Sequence, residues 1–114
     1  MNLEKRFVQL SSRVIKNTEF IKRNFAGITL KQQLTRSIIS VALNYSEAKS
    51  AESSKDYVHK ISISLKELKE SRTAIEILIE SNLVSFKLFE TEQNEINELL
   101  AILYASKRKA NQNN

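Results

Sequence analysis

The side chains of this 114-residue chain that can take part in chemistry are mainly cations. The sequence holds 18 Lys and Arg against 13 Asp and Glu, which gives a formal net charge of +5 at pH 7. It has one histidine and no cysteine, so a disulfide framework, a thiolate metal site and a cysteine nucleophile are excluded. An excess of cations favours a partner that carries negative charge, such as a phosphate backbone.

The motifs of catalytic and metal-binding proteins are missing. Carboxylate-bridged metal sites in helical bundles need Glu-x-x-His pairs on two helices. This chain offers a single pair of that spacing, Asp56 and His59, which we interpret as a helix cap and a residue on the flank of a helix. It has neither a Gly-rich phosphate loop nor a serine or cysteine nucleophile beside a base. We therefore predict that the protein is not an enzyme and holds no metal or cofactor. A carboxylate-only enzyme is the open alternative, without a motif in its favour.

The charges are segregated along the chain. Residues 1–36 contain eight basic and two acidic residues, whereas residues 37–106 contain seven basic and eleven acidic ones. Residues 107–109 are all basic. The two ends of the chain are therefore positive, and its middle is negative.

The cations near the N-terminus are expected to share the outer face of the first helix, because Phe7 and Leu10 face inward. A positive stripe of this kind can follow a phosphate backbone. The candidate nucleic-acid-binding residues are Arg6, Arg13, Lys16 and Arg23, with Lys107, Arg108 and Lys109 as a second patch. The alternative is a solvated face, since outer faces of bundles are charged in any case. A base-stacking platform is not expected, because the chain has no Trp and its eight aromatic residues lie mostly at inward positions.

The elements that position these cations are predicted to be helices. One glycine and no proline leave none of the turn signals that a β-protein needs every eight to twelve residues. Links of a few residues between long helices favour antiparallel neighbours. We predict an all-α, antiparallel up-down-up-down four-helix bundle. Its single domain spans residues 1–110, with helices over about residues 3–24, 30–49, 54–82 and 85–108 and a frayed tail over 111–114.

Apolar residues at three- and four-residue spacings predict the seam of each helix, which is the line of residues that faces the core. The seams are Leu3, Phe7, Leu10, Val14 and Ile21; then Leu30, Leu34, Ile38, Val41, Tyr45 and Ala48; then Val58, Ile61, Leu65, Leu68, Ile75 and Ile79; and finally Leu88, Ile96, Leu99 and Leu103. Asn44 and Arg72 are polar residues close to these seams. Asn44 is expected to be satisfied within the bundle or at a subunit contact. Arg72 either pairs with Glu47 or Glu76 or extends to solvent at the edge of its seam.

The helix boundaries are predicted from capping residues. Gly27 is expected to end the first helix in a left-handed conformation. Thr29 with Gln32 is predicted as the capping box of the second helix. Ser53 with Asp56 is expected to cap the third helix, which is expected to end near Asn82.

Nothing in the sequence predicts contact with a membrane. No apolar run approaches the roughly 18 residues needed to cross a bilayer. The N-terminus lacks the apolar middle of a secretory signal. The apolar side of the basic first helix is committed to the core, so that helix is not expected to lie on a membrane surface. We expect a cytoplasmic protein.

About half of the chain resembles a known family, the four-helix bundle proteins encoded in intervening sequences of bacterial 23S rRNA genes. The matching segments are Gln33-Leu34-Thr35-Arg36-Ser37, Ser40 with Ala42-x-Asn44-Tyr45-x-Glu47-Ala48, Ser50-Ala51-Glu52-Ser53, Asp56-Tyr57-Val58-His59-Lys60, Ser64-Leu65-Lys66-Glu67-Leu68-Lys69-Glu70-Ser71, Ile75-Glu76-Ile77-Leu78 and, more weakly, Ala105-Ser106-Lys107. The chain departs from the family pattern at Val41, Leu43 and residues 71–74, where a subunit contact would be altered. The first helix matches only in pattern.

The resemblance implies a homo-oligomer, with a pentameric ring as the expected arrangement. The chain also looks related to the accessory protein of diversity-generating retroelements, a basic pentamer that binds nucleic acid and a reverse transcriptase. From the residues and the resemblance together, we predict a ring that binds nucleic acid, RNA in the first place, through phosphate contacts. The alternatives are a scaffold that docks a protein partner such as a reverse transcriptase through its acidic helices, and a structural oligomer without a ligand.

Overall fold

The computed structural model describes residues 2–112, which form four helices. They are α1 (Leu3–Asn17), α2 (Phe25–Lys49), α3 (Ser54–Glu80) and α4 (Glu90–Gln112), with 3₁₀ turns at Thr18–Phe20 and Phe86–Phe89. The predicted all-α four-helix bundle is confirmed. Residues 111 and 112, predicted to fray, belong to α4, while residues 113 and 114 lie outside the described residues.

The four helices form an elongated bundle of 47 × 22 × 21 Å. Helix α1 packs against α2 and α4, and α3 packs against the same two helices, so that α1 and α3 lie diagonally opposite each other. Neighbouring helices run antiparallel. The ring centroids of Phe7 and Tyr45 are 5.0 Å apart, and the Ser11 hydroxyl donates to the Ile38 carbonyl at 3.2 Å.

The predicted seams are the core of the bundle. Their residues are buried, except for five that are partly buried: Val58, and Leu3, Leu30, Ile79 and Leu88, which pack against the core. The structure adds core residues that the spacing did not predict: Ala74, Leu78, Leu83, Val84, Phe89 and Leu100. Several of these lie near or in the connection between α3 and α4, where a helical repeat does not apply.

Small polar side chains allow α2 and α3 to pack closely. The hydroxyls of Ser37 and Ser71 lie 2.7 Å apart, and the Ser64 hydroxyl donates to the Val41 carbonyl at 3.0 Å. All three serines are buried. Buried polar groups need hydrogen-bond partners, and these bonds provide them for the three hydroxyls while the small side chains keep the helices close.

Asn44 and Arg72 have local partners. The Asn44 amide donates to the Ser40 carbonyl at 2.9 Å, one turn earlier in the same helix. Arg72 extends along the edge of its seam, donates to the side chain of Asn97 at 3.0 Å and lies 3.9 Å from Glu76. The other predicted partner, Glu47, pairs with Lys60 instead.

The first helix is shorter than the predicted range of 3–24. It ends at Asn17, and the Thr18 hydroxyl donates to the Ile15 carbonyl at 2.6 Å. The chain is extended at Ile21, whose side chain is buried, and the Lys22 amide donates to the Leu83 carbonyl at 3.1 Å. This hydrogen bond joins the connection between α1 and α2 to the connection between α3 and α4, at one end of the bundle. It would be lost if α1 continued as a helix through residue 24.

The prediction that Gly27 is a left-handed cap is wrong, because Gly27 lies in the first turn of α2. Its amide donates to Asn24 Oδ1 at 2.8 Å, so Asn24 caps α2 and the helix begins at Phe25 rather than near residue 30. The Thr29 hydroxyl bonds the Phe25 carbonyl instead of capping the helix. A Cβ at position 27 would lie 1.9 Å from the Lys22 carbonyl oxygen, so glycine is required for close backbone approach.

The caps predicted for α3 are confirmed. The Asp56 amide donates to Ser53 Oγ at 3.0 Å. At the other end, Asn82 has a φ of 57° and provides the left-handed residue. The amides of Asn82 and Leu83 donate to the carbonyls of Ile79 and Leu78, which is the hydrogen-bond pattern of a Schellman motif. The fourth helix, predicted over 85–108, instead begins with a 3₁₀ turn that places Phe89 in the core.

We expect the Gly27→Ala variant to be less stable than the natural protein. Alanine in a helix normally raises stability by about 0.5–1 kcal/mol relative to glycine. Here the added methyl group meets the Lys22 backbone, and overpacking of this kind costs about 1–3 kcal/mol. Urea unfolding followed by circular dichroism measures the sign of the change. An increase in stability would contradict the close approach.

Candidate nucleic-acid interface

Two of the four cations predicted for the first helix face α4 rather than solvent. Arg6 Nη1 lies 3.0 Å from Glu98 Oε1. Arg13 reaches two carboxylates, with Nε 3.3 Å from Glu92 Oε2 and Nη2 2.9 Å from Glu95 Oε1. The prediction that Arg6 and Arg13 lie on an open outer face is therefore wrong.

Helix geometry explains this arrangement. At 100° per residue, Arg6 and Arg13 lie about 70° and 90° from the middle of the apolar side of α1, whereas Lys16 lies about 150° from it. The first two residues are therefore on the flank of the helix, which α4 covers. Lys16 is exposed, as predicted.

Glu92 is the most buried partner in this contact, with 5% of the residue exposed. In addition to the Arg13 bond, its Oε1 accepts a hydrogen bond from the Asn17 amide at 3.2 Å. The same amide donates to the Leu88 carbonyl at 3.0 Å. The apolar seam of α1 has no apolar residue between Val14 and Ile21. Asn17 occupies the seam position between them, and its side chain binds the start of α4. These bonds satisfy a carboxylate that would be costly to bury alone.

A second set of ion pairs joins α2 to α3. Arg36 donates to Glu67 Oε2 at 2.9 Å and to Glu70 Oε2 at 2.8 Å. The hydrogen bond to Glu70, followed by that to Glu67, raises the pKa of Arg36 above its ordinary value. Basic residues from the first third of the chain thus pair with acids of residues 37–106 at two contacts, one between α1 and α4 and one between α2 and α3.

Eight of the chain's cations line three neighbouring cavities. The largest, of about 770 Å³, lies along α3 and is lined by Arg36, Lys66, Lys69 and Lys107 together with Glu70. Lys69 Nζ lies 4.9 Å from the ring centre of Tyr104, a cation–π contact at the wall of this cavity.

The second cavity, of about 670 Å³, lies between α2 and the connection that precedes it. Its charged lining residues are Lys22, Arg23, Lys31, Arg36 and Glu19. The third cavity, of about 370 Å³, is lined by Tyr104, Lys107, Arg108, Asn111 and Gln112.

Shared walls join the three cavities into one surface. Arg36 lines the first and second, while Tyr104 and Lys107 line the first and third. We name this region the cationic surface; its cations are Lys22, Arg23, Lys31, Arg36, Lys66, Lys69, Lys107 and Arg108. The acids among its lining residues are Glu19 and Glu70, which pair with Lys31 and Arg36. The other six cations form no ion pair within residues 2–112.

Comparison with known proteins identifies the family. The profile of the family described as 23S rRNA-intervening sequence protein matches residues 2–105, which is nearly the whole bundle. The chain belongs to this family. Comparison with curated proteins yielded no match. The family assignment confirms the resemblance in the sequence and extends it to α1.

A solved structure supports the fold of this family member. It is the 1.70 Å crystal structure of a protein of unknown function from the S23 ribosomal protein family of Bacteroides thetaiotaomicron. The two chains are 24% identical and superpose with a TM-score of 0.84 over 93% of this chain and 98% of the other. At that identity the similarity establishes the shared fold alone.

The structure distributes the predicted binding residues of this family member over different regions. Arg23, Lys107 and Arg108 lie on the cationic surface, although Arg23 belongs to the connection after α1. Lys109 is exposed near the end of α4. Lys16 lines a separate, largely apolar groove between α1 and α2.

Sequence reasoning missed five cations of the cationic surface: Lys22, Lys31, Arg36, Lys66 and Lys69. Lys66 and Lys69 are three residues apart, a spacing that places both on the same, outer side of α3 and indicates a basic surface there. The net negative charge of residues 37–106 argued against such a surface, but most of those acids face other helices.

Within the described residues, no group of three or more His, Cys, Asp or Glu side chains is arranged to hold a metal ion. The helices formed by residues 2–112 include none with the length and apolar character needed to span a membrane.

We expect Arg13→Ala to destabilise the protein by about 1–2 kcal/mol. The change leaves the buried Glu92 carboxylate with Asn17 as its remaining side-chain partner. The loss is smaller than for a fully buried pair because Arg13 is partly exposed to solvent. The matched control, Lys16→Ala on the outer side of α1, should change stability by less than about 0.5 kcal/mol. Equal effects in urea unfolding would contradict a structural role for Arg13.

Proposed function

We propose that the protein binds nucleic acid, RNA in the first place, and acts by binding rather than by catalysis. The observation that carries this proposal is the continuity of the cationic surface across three cavities. RNA is the first ligand to test because the family takes its name from intervening sequences of 23S rRNA, although that name describes no ligand.

The chemistry of the cationic surface suits a phosphate backbone. Lysine and arginine side chains that neutralise phosphates release condensed counterions, which makes binding favourable at low salt and weak at high salt. Such contacts position a backbone but read no sequence. We therefore expect RNA and DNA to bind with little sequence preference.

Neutralising the middle of the cationic surface should weaken binding. In the triple variant Lys66→Gln, Lys69→Gln and Lys107→Gln, we expect the affinity for a structured RNA to fall about tenfold or more at low salt. The slope of log K against log salt should also become shallower by about 0.7–0.9 for each phosphate that the variant no longer neutralises. Fluorescence anisotropy between about 50 and 200 mM salt measures both quantities.

The matched control is a second triple variant, Lys5→Gln, Lys49→Gln and Lys55→Gln. It removes the same net charge from exposed positions that do not line the cationic surface. Its affinity and salt slope should stay close to those of the natural protein. If the two variants weaken binding equally, net charge rather than the cationic surface is responsible. If the natural protein does not bind at low salt, the proposal fails.

We further propose that the chain forms a homo-oligomer, a pentamer in the first place, through α1 and α2. The support is a groove of about 390 Å³ between these helices, whose apolar lining residues include Val8, Ile39 and Leu43. All three are exposed, and the small side chains of Ser12 and Ala42 beside them allow another helix to approach. The occupant is a second copy of the chain, as the family resemblance implies, and contact there leaves α3 open.

Charge placed in this groove should separate the subunits. We expect Leu43→Glu to be monomeric in light scattering after size-exclusion chromatography, because burial of the new carboxylate between copies is unfavourable. Ile77→Glu, which introduces the same charge at an exposed apolar position of α3, should remain oligomeric. A monomeric natural protein, or an unchanged Leu43→Glu variant, would contradict the proposed interface.

Docking of a protein such as a reverse transcriptase through the acidic helices receives less support. Five acids of α3 and α4 are engaged in ion pairs with α1 and α2: Glu67, Glu70, Glu92, Glu95 and Glu98. A partner that copurifies after nuclease treatment would favour this alternative.

A further inference from the structure

Three phenylalanines are exposed at one end of the bundle. The exposed fraction is 71% for Phe20, 87% for Phe25 and 65% for Phe86. The premise that aromatic residues lie mostly at inward positions is therefore wrong, since Tyr104 is exposed as well. Exposed aromatic rings beside cations are the usual components of a surface that binds unpaired bases.

The fold explains why these rings are exposed at the same end of the bundle. Phe20 ends the 3₁₀ turn after α1, Phe25 begins α2, and Phe86 begins the 3₁₀ turn before α4. The hydrogen bond from the Lys22 amide to the Leu83 carbonyl joins the two connections. The core at this end is already filled by Ile21, Leu83, Val84 and Phe89, which are buried.

Cations lie beside the rings in the chain. Lys22 and Arg23 stand between Phe20 and Phe25, and both line the second cavity of the cationic surface. Glu19 is exposed in the connection between α1 and α2, where Lys31 pairs with it at 3.3 Å. The other exposed acids near this end, Glu80 and Glu90, belong to α3 and α4. A phosphate backbone is therefore best accommodated on the side of the connection between α1 and α2.

We propose that Phe20, Phe25 and Phe86 form a stacking platform for the unpaired bases of a single-stranded nucleic acid, with its phosphates on Lys22 and Arg23. This inference rests on the proposed nucleic-acid function and defines its preferred substrate. Each ring offers a π-face that any base can stack on, so the platform favours unpaired strands without reading their sequence. A continuous duplex keeps its bases stacked on one another and uses the cationic surface alone.

A tryptophan reporter tests the contact directly. The natural sequence has no Trp, so Phe25→Trp introduces a single indole at the most exposed of the three positions. The probe is a single-stranded RNA of about 12 nucleotides without self-complementarity. We expect this RNA to quench the Trp fluorescence in a saturable manner. The control, His59→Trp at an exposed position near the start of α3, away from the connection between α1 and α2, should show no quenching.

Affinity measurements complete the test. Phe25→Ala and Phe20→Ala remove exposed rings and leave the core intact. Each change should lower the affinity for the single strand by about 5- to 150-fold, the range measured for loss of one base-stacking residue. The affinity for the corresponding RNA duplex should be unchanged.

The outcomes separate the two proposals. Loss of single-strand affinity with unchanged duplex affinity supports the platform. If both probes bind, the Phe→Ala variants match the natural protein and the fluorescence of the Phe25→Trp variant is not quenched, the platform is contradicted while the proposed function stands. If neither probe binds at low salt, the proposed function fails and the platform with it.

Discussion

The contact between Arg13 and the buried carboxylate of Glu92 is the constraint on which the arrangement of the bundle depends. Together with Asn17, it joins α1 to the start of α4, and the Arg36 pairs with Glu67 and Glu70 do the same for α2 and α3. Apolar seams alone are compatible with neighbouring registers. A buried carboxylate that needs a specific guanidinium penalises those alternatives, because a shifted helix would leave it without a partner.

The same pairing decides which cations are available to a ligand. Arg6 and Arg13, two of the three cations of α1 that were predicted to bind phosphate, are engaged by α4. Those on the opposite side of the bundle, on α3 and the end of α4, remain open. The charge segregation in the sequence therefore has two parts: one is complementarity between helices, and the other is the cationic surface that passes over α3. A count of charges along the chain does not separate these two parts. The acids of α3 and α4 lower the net charge of those helices in such a count, although most of them face other helices.

Sequence reasoning predicted the features that depend on local repeats. The seams, the Ser53 cap and the end of α3 at Asn82 follow from spacing and side-chain chemistry within one helix. It did not predict the end of α1, because that depends on a hydrogen bond to Leu83, which is distant in sequence. Gly27 was misinterpreted because close backbone approach and a left-handed conformation both require glycine. Arg6 and Arg13 were misplaced because their position on the flank of α1 matters only once α4 is known to cover that side.

The central claim is that nucleic acid meets the α3 side of the bundle and not the outer side of α1. Amide chemical-shift perturbation by NMR, with a short structured RNA added to the isotopically labelled protein, tests this most directly. The account predicts perturbed amides along α3, at residues 62–77, around Lys107 in α4, and over residues 22–36 at the second cavity, with α1 unaffected. Perturbations centred on α1 would contradict it, because they would show that the cations paired with α4 form the binding surface.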